Sequence, residues 1–494
     1  MMLLEMARDA YGDRVAFTDA TNGASLSYAA LFDAARRRAA SIAETGASRV
    51  AALDVTSLAS PVALFSSAWA GVPYVPLNYR LADPEIVSLL ERITPAYLVT
   101  SAERHGSFHG KHGVQASSRE RFLDDAAHAR EIESEWSMDP DAIAVLLFTS
   151  GTTGAAKAAV LRHKHLVSYI LGSVEFASAD PDEATLVSVP PYHVAGIAAM
   201  LSSVYSGRRV VQLPQFAADA WLDAARNERI TSAFVVPTML MRIVDTLNGR
   251  KADLPHLTSI SYGGGKMPLA VIEAAMRAFP NVDFANAYGL TETSSTIAVL
   301  GPDDHRDAAA SDDALARRRL ASVGRPLPSV EIEVRGPGGE KLGPFERGEI
   351  YVRGEQVSGE YDGKGATTDA DGWFATRDAG YVDAGGFLFL DGRADDVIVR
   401  GGENLSPGEI EDVLREHPAV ADVAVVGVPD TEWGEAVAAA IVRKGEVTQD
   451  ALREWVKARL RSSRVPGFIE WWDELPYNET GKLLRRVVRD RFGR

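Results

Sequence analysis

The chain contains no cysteine among its 494 residues. A disulfide framework, a thiolate nucleophile and a cysteine-type metal centre are thereby excluded, and a reducing compartment fits. No apolar run reaches the roughly 18 to 20 residues that a membrane-crossing helix requires. The opening residues Met1-Met2-Leu3-Leu4-Glu5-Met6-Ala7-Arg8 carry acid early and lack both a basic flank and a sustained apolar stretch, so no signal peptide is expected and the expected location is the cytoplasm. Net positive charge is also missing. The formal net charge of −16 argues against a general nucleic-acid binder, and Arg317-Arg318-Arg319 and Arg485-Arg486 read as solvated faces. Internal repeats and low-complexity tracts are absent too.

What is present is ordinary for a globular protein, with 46% apolar and 24% charged residues. The length exceeds the usual size of one hydrophobic core, so at least two domains are expected. From Ala142 to Tyr288, short β-rich runs alternate with the amphipathic patterns Ala218 to Asn227, Pro237 to Leu247 and Pro268 to Phe279, and an earlier segment, Leu26 to Thr100, repeats the style with a helix over Tyr28 to Glu44. That alternation predicts one large α/β body around a mostly parallel sheet. After about Ser322 short strands and glycine turns predict a β-rich appendage. Beyond Gly392-Arg393-Ala394-Asp395-Asp396 a compact α+β pattern of about 100 residues has the size of an independent domain. The expected division is a large N-terminal domain over 1–394 and a small C-terminal domain over 395–494.

Five segments carry chemistry. Leu147-Phe148-Thr149-Ser150-Gly151-Thr152-Thr153-Gly154-Ala155-Ala156-Lys157 follows a strand-like run with hydroxyls, glycines and one lysine, a composition suited to gripping phosphate. It is not a Walker loop, because no Gly-Lys-Ser/Thr closes it; the alternative, taken alone, is a plain flexible loop. Ser261-Tyr262-Gly263-Gly264-Gly265-Lys266-Met267-Pro268 leaves bare backbone against which a flat ring could lie, or is a tight strand–helix turn. Asn286-Ala287-Tyr288-Gly289-Leu290-Thr291-Glu292-Thr293 offers an aromatic face, a phosphate donor and a magnesium ligand, or is a helix cap. In Gly372-Trp373-Phe374-Ala375-Thr376-Arg377-Asp378-Ala379-Gly380, a carboxylate such as Asp378 could take both hydroxyls of a ribose, or the segment is a surface turn. Pro476-Tyr477-Asn478-Glu479-Thr480-Gly481-Lys482 presents a lysine near the chain end, where most lysines are merely solvated.

In this order and spacing the motifs resemble the adenylate-forming superfamily of acyl- and aryl-CoA ligases, luciferases and peptide-synthetase adenylation domains, over roughly Asp13 to Arg486. The resemblance implies that a carboxylic acid attacks the α-phosphate of ATP to give an acyl-adenylate and pyrophosphate, and that a second nucleophile then displaces AMP. It implies ATP and magnesium, with CoA as the expected co-substrate. Carried over, Thr149, Ser150, Gly151, Thr152, Thr153, Gly154 and Lys157 are the pyrophosphate grip, with Thr291 and Gly289 also at the nucleotide, and Glu292 is the magnesium ligand. Gly263, Gly264, Gly265 and Tyr288 flank adenine, while Asp378 and Arg393 hold the ribose. Lys482 matches the family's mobile catalytic lysine, whose ammonium offsets the repulsion between a carboxylate and a polyphosphate. Asp395 matches the hinge about which the small domain rotates.

His193, in Pro190-Pro191-Tyr192-His193-Val194-Ala195-Gly196, matches an aromatic or histidine position that lines the acid pocket. Peptide-synthetase domains carry an aspartate in this segment for the substrate's α-ammonium; none stands here, so an acid without an α-amino group is expected. The matching pocket residues, Tyr192, Val194, Ala195, Ala287, Gly289, Ser294 and Ser295, include small or apolar side chains and no cation, which suits a flat aryl or short branched acid. Several positions depart from the pattern: Ala155-Ala156-Lys157-Ala158 lacks the usual flanking proline and glycine, Thr376-Arg377-Asp378 replaces Thr-Gly-Asp, and Arg461-Ser462-Ser463-Arg464 is less basic than in many CoA ligases. Arg400-Gly401-Gly402-Glu403-Asn404 looks like the loop lining the pantetheine tunnel. The acid–CoA ligase reading therefore leads; an amide-bond synthetase transferring the acyl group to a free amine is the alternative, and a non-catalytic adenylate-binding protein is a third. Finally, His105, His109 and His112 have metal-like spacing, but Gly106, Gly110 and Gly113 are expected to break the helix it would need, so a surface loop is expected.

Overall fold

A computed structural model describes residues 1–133, 135–149, 156–477 and 483–493. Among these residues the strands form four sheets. In the nine-stranded sheet, six neighbouring strands run parallel, in the order Asp283–Leu290, Ser259–Gly263, Ser232–Val235, Ala184–Val187, Arg209–Gln212 and Val15–Asp19. A second, eight-stranded sheet holds Lys157–Arg162, Ile143–Thr149, Tyr74–Pro76, Arg49–Leu53 and Ala96–Thr100. The body therefore has two large sheets where sequence periodicity predicts one. Period alone gives strands but not partners, and the strand Ile143–Thr149 turns back on Lys157–Arg162 rather than pairing with Ala184–Val187.

The helices lie where the apolar spacing predicts. Tyr28–Glu44 is opened by Ser27, whose Oγ accepts from the Ala30 amide at 3.1 Å, and it buries Leu31, Ala35, Ala39 and Ile42 along one face. Pro237–Leu247 starts on a proline and buries Met239, Leu240, Ile243 and Leu247. Trp221, Tyr28, Tyr74, Tyr262 and Phe17 are fully buried in the layers between sheets and helices.

The expected β-rich appendage is a four-stranded antiparallel sheet in the order Glu331–Arg335, Gly348–Arg353, Phe374–Val382 and Leu388–Arg393. Downstream, Ile398, Ile410, Leu414, Val423, Val425, Ile441, Leu452 and Val456 form an apolar cluster of their own under the sheet built on Val420–Asp430 and Gly434–Arg443. Glu411, 1% exposed, is held inside this part by the Arg485 guanidinium and by the Val425 amide at 2.8 Å. The guanidinium keeps its carboxyl below the ordinary range against the opposing effect of burial. The terminal part touches the body through Lys266 and Asp412 at 2.7 Å, and through Ser406, whose Oγ donates to the Asp391 carbonyl at 3.2 Å.

The histidine cluster departs from expectation at Gly106 only, since the helix ends at Phe108, before His109 and His112. Ala102–Phe108 is helical through Gly106, so that glycine does not break it. Exposed glycine costs only about 1 kcal/mol in a helix, which does not by itself end one. His105 and His109 stack with ring centroids 4.9 Å apart, and both meet the backbone of Ala116: His105 Nε2 lies 3.1 Å from its carbonyl oxygen, and the Ala116 amide donates to His109 Nδ1 at 3.2 Å.

Candidate active site

Three strand ends and one hairpin converge. Strand Ile143–Thr149 pairs antiparallel with Lys157–Arg162, with Thr149 opposite Lys157, so the described residues on either side of the hydroxyl-rich segment are held together by the ladder. Arg92 supports that ladder, its guanidinium 4.9 Å from the Phe148 ring centre and bonded to the Ala156 carbonyl at 2.6 Å. Ser150, Gly151, Thr152, Thr153 and Gly154, the core of the predicted phosphate grip, lie outside the described residues, as does Lys482.

The strand Asp283–Leu290 carries Ala287, Tyr288 and Gly289 and ends in the one-turn helix Thr291–Thr293. Leu290 donates its amide to Thr293 Oγ1 at 3.0 Å, which tightens the turn and leaves Thr291 partly accessible. A Cβ on Gly289 would overlap the Ser295 carbonyl oxygen, and one on Gly263 would overlap that of Ala287. Both glycines are thus required by close backbone approach. Gly264 has φ +81° and is exposed, as is Gly265, leaving bare backbone beside the strand end.

Tyr288 is buried, and its hydroxyl donates to Asp378 Oδ2 at 2.7 Å. Burial and the neighbouring carboxylate push this phenol far above its ordinary range, so it stays a donor. Arg393 reaches Asp378 Oδ1 at 3.2 Å and donates to the Thr376 carbonyl at 3.0 Å. The three residues assigned to adenine and ribose from separate motifs therefore meet. Asp378 reaches this place because Thr376-Arg377-Asp378 bulges out of register between the pairs Tyr351–Ala375 and Glu349–Ala379. Arg377, at the crest, has φ +60°, the left-handed conformation that glycine adopts without strain.

Glu292, 9% exposed, accepts a hydrogen bond at Oε1 from the Tyr361 hydroxyl at 2.6 Å. Burial and the Glu292 charge raise the Tyr361 phenol above its ordinary range. Among the described residues no group of three or more His, Asp or Glu side chains could hold a metal by itself. A single hard carboxylate with one oxygen still available fits magnesium carried largely by nucleotide phosphates. Tyr361 was not legible from sequence: it sits in the aperiodic, glycine-flanked run Gly359-Glu360-Tyr361-Asp362-Gly363.

On the acid side, His193 is the N-cap residue of the helix Val194–Ser206, so Val194 and Ala195 occupy its first turn. That helix packs against the strand Ser295–Leu300. Tyr192 is buried between the Tyr79 and His193 rings, at 5.6 and 4.6 Å. Ser294 and Ser295 have φ +58° and +121°, two successive strained non-glycine residues at the predicted pocket. Asp395 is exposed in the short turn Ala394–Asp396 that separates the appendage from the terminal cluster.

The sequence pattern of the AMP-binding enzymes matches residues 4–362, and that of the AMP-binding enzyme C-terminal domain matches residues 409–482. The chain belongs to the AMP-binding enzyme family. Among curated members, it is 32% identical over 486 residues to feruloyl-CoA synthase of an Amycolatopsis species, covering 95% of each chain. Indoleacetate–CoA ligase of Aromatoleum aromaticum is 32% identical over 492 residues, covering 95% of this chain and 94% of that protein. Among solved members, o-succinylbenzoate CoA synthetase of Bacillus subtilis, in complex with its acyl-adenylate intermediate, superposes with a TM-score of 0.86 at 30% identity, covering 99% of this chain and 98% of that one. That enzyme has also been solved with ATP and a magnesium ion. The large body and small terminal part of this AMP-binding enzyme match the adenylate-forming fold of that synthetase.

Proposed function

We propose that this chain is an AMP-forming acid–CoA ligase acting on an aryl or short acid, with magnesium as the cofactor of the nucleotide step. The observation that carries it is the convergence of Tyr288, Arg393 and Asp378, with Glu292 on the turn that follows the Tyr288 strand, within a chain that matches CoA ligases over nearly its whole length. Asp378 binds the ribose hydroxyls, with Arg393 and Tyr288 fixing its orientation; Tyr288 and the bare backbone at Gly263, Gly264 and Gly265 flank adenine. Ser150, Thr152, Thr153 and Lys157, with Thr149, Gly151 and Gly154 shaping the loop, hold the departing pyrophosphate. Glu292 supplies a carboxylate for magnesium, which when bound would neutralise phosphate charge and polarise the phosphoryl oxygens. The acid lies between the Tyr192-His193-Val194-Ala195 helix start and the Ala287, Gly289, Ser294 and Ser295 wall. Its carboxylate oxygen attacks the α-phosphorus as the bond to the β-phosphate oxygen breaks, and Lys482 offsets the charge gathered there. The CoA sulfur then attacks the acyl carbon and AMP leaves.

CoA is favoured over a free amine because the relatives above are named for CoA thioesters. The division at 394/395, with Asp395 as the pivot, is part of the same proposal. Incubation with ATP, magnesium and a panel of aryl and short acids is expected to release pyrophosphate, and CoA is expected to convert the adenylate to a thioester detected by mass spectrometry. Amide without thioester in the parallel amine reaction would favour the synthetase alternative; no pyrophosphate with any acid would remove the ligase reading.

A further inference from the structure

We propose that Tyr361 positions the Glu292 carboxylate for the metal–nucleotide complex. This rests on the reading of Glu292 as the magnesium ligand. The segment Ser358 to Tyr361 grips Glu292 at both ends: the Ser358 and Gly359 amides donate to its backbone carbonyl at 2.9 and 3.1 Å, and the Tyr361 hydroxyl donates to Oε1 at 2.6 Å. The same segment is tied to the phosphate hairpin. Ser358 Oγ donates to the Val160 carbonyl, Tyr361 pairs with Ala159, and Lys157 Nζ lies 5.5 Å from the Tyr361 ring centre. One short strap thus joins the lysine of the phosphate loop to the metal carboxylate.

Among the described residues no cation pairs with Glu292. A nearly buried carboxylate without a cation is costly unless hydrogen-bonded, and here the bond occupies one oxygen only. Tyr361 therefore fixes the rotamer and leaves Oε2 as the free ligand atom, the arrangement by which an outer group orients a metal-binding carboxylate. Tyr361 makes no contact with the metal in this scheme; it is a positioning residue.

The test is Mn2+ affinity, read by electron paramagnetic resonance in the presence of α,β-methylene-ATP, so that no turnover enters. Tyr361→Phe keeps the ring beside Lys157 and removes the hydroxyl; affinity is expected to fall roughly 10- to 100-fold, while the melting of the metal-free protein stays cooperative. Tyr361→Leu removes ring and hydroxyl together. A hydroxyl role makes the two variants bind alike, whereas wild-type affinity in Phe with weak binding in Leu would overturn the inference and leave only packing. Glu292→Gln separates this from the reading beneath it: if that variant binds Mn2+ as tightly as wild type, Glu292 is not the ligand and the underlying assignment falls. If Glu292→Gln loses affinity but Tyr361→Phe does not, only the role of Tyr361 falls.

Discussion

Arg377 holds a backbone conformation that costs a non-glycine residue about 1–2 kcal/mol. It stands where the resemblance puts glycine, next to the carboxylate assigned to ribose, and its positive charge is felt at the Tyr361 hydroxyl. Strain kept at such a place points to use of the side chain. For Arg377→Gly, relief of the strained φ is offset by the larger freedom of glycine in the unfolded chain, so the melting temperature is expected to move by little. Loss of an exposed cation next to the carboxylate assigned to ribose is expected to raise the KM for ATP roughly 3- to 10-fold, equivalent to about 1 kcal/mol of charge attraction. Steady-state kinetics with varied ATP check this; an unchanged KM would show that the guanidinium faces solvent away from the nucleotide.

At the scale of an element, the strand Asp283–Leu290 and its return Ser295–Leu300 decide where Tyr288, Glu292 and the serines fall. The pairing shifts register between Tyr288 and Gly289, and the Ser295 carbonyl oxygen occupies the space a side chain at 289 would need. Gly289→Ala must push the two strands apart. An overpacking cost of roughly 1–3 kcal/mol is expected, seen as a lower urea midpoint with an unchanged slope, together with weaker ATP binding because Glu292 rides on the same turn. The helices needed no such information: Tyr28–Glu44, Ala218–Asn227 and Pro237–Leu247 begin and end where their apolar spacing, caps and proline place them. The helix through His105 was missed because a glycine in a seven-residue helix outweighed a pattern too short to register.

At the scale of the whole molecule, the proposed chemistry brings groups from the terminal part and the body to one nucleotide. The contacts between Lys266 and Asp412, and between Ser406 and the Asp391 carbonyl, are polar; the first is exposed, while Ser406 is buried. An exposed ion pair such as Lys266–Asp412 contributes roughly 0–1 kcal/mol, so that contact by itself opposes a change of orientation only weakly. Lys482→Ala is expected to slow pyrophosphate release by at least roughly 10²- to 10³-fold, while CoA transfer from a supplied acyl-adenylate stays within a few-fold of wild type. Rapid-quench measurement of the two half-reactions separates these outcomes, and equal loss in both would tie the lysine to folding or to binding in general.

The sequence alone determined the helices, the change of texture near Ser322 and Asp395, and the ordered motifs that identify the family, because these depend on neighbours along the chain: apolar spacing, caps, glycine turns and short chemical signatures. Partition of the body into two sheets, the meeting of Tyr288 with Asp378 and Arg393, and the strap from Lys157 through Tyr361 to Glu292 were decided by tertiary structure. Strand partners and hydrogen bonds between residues tens of positions apart are selected by the packing of complete layers, and no local pattern carries that choice.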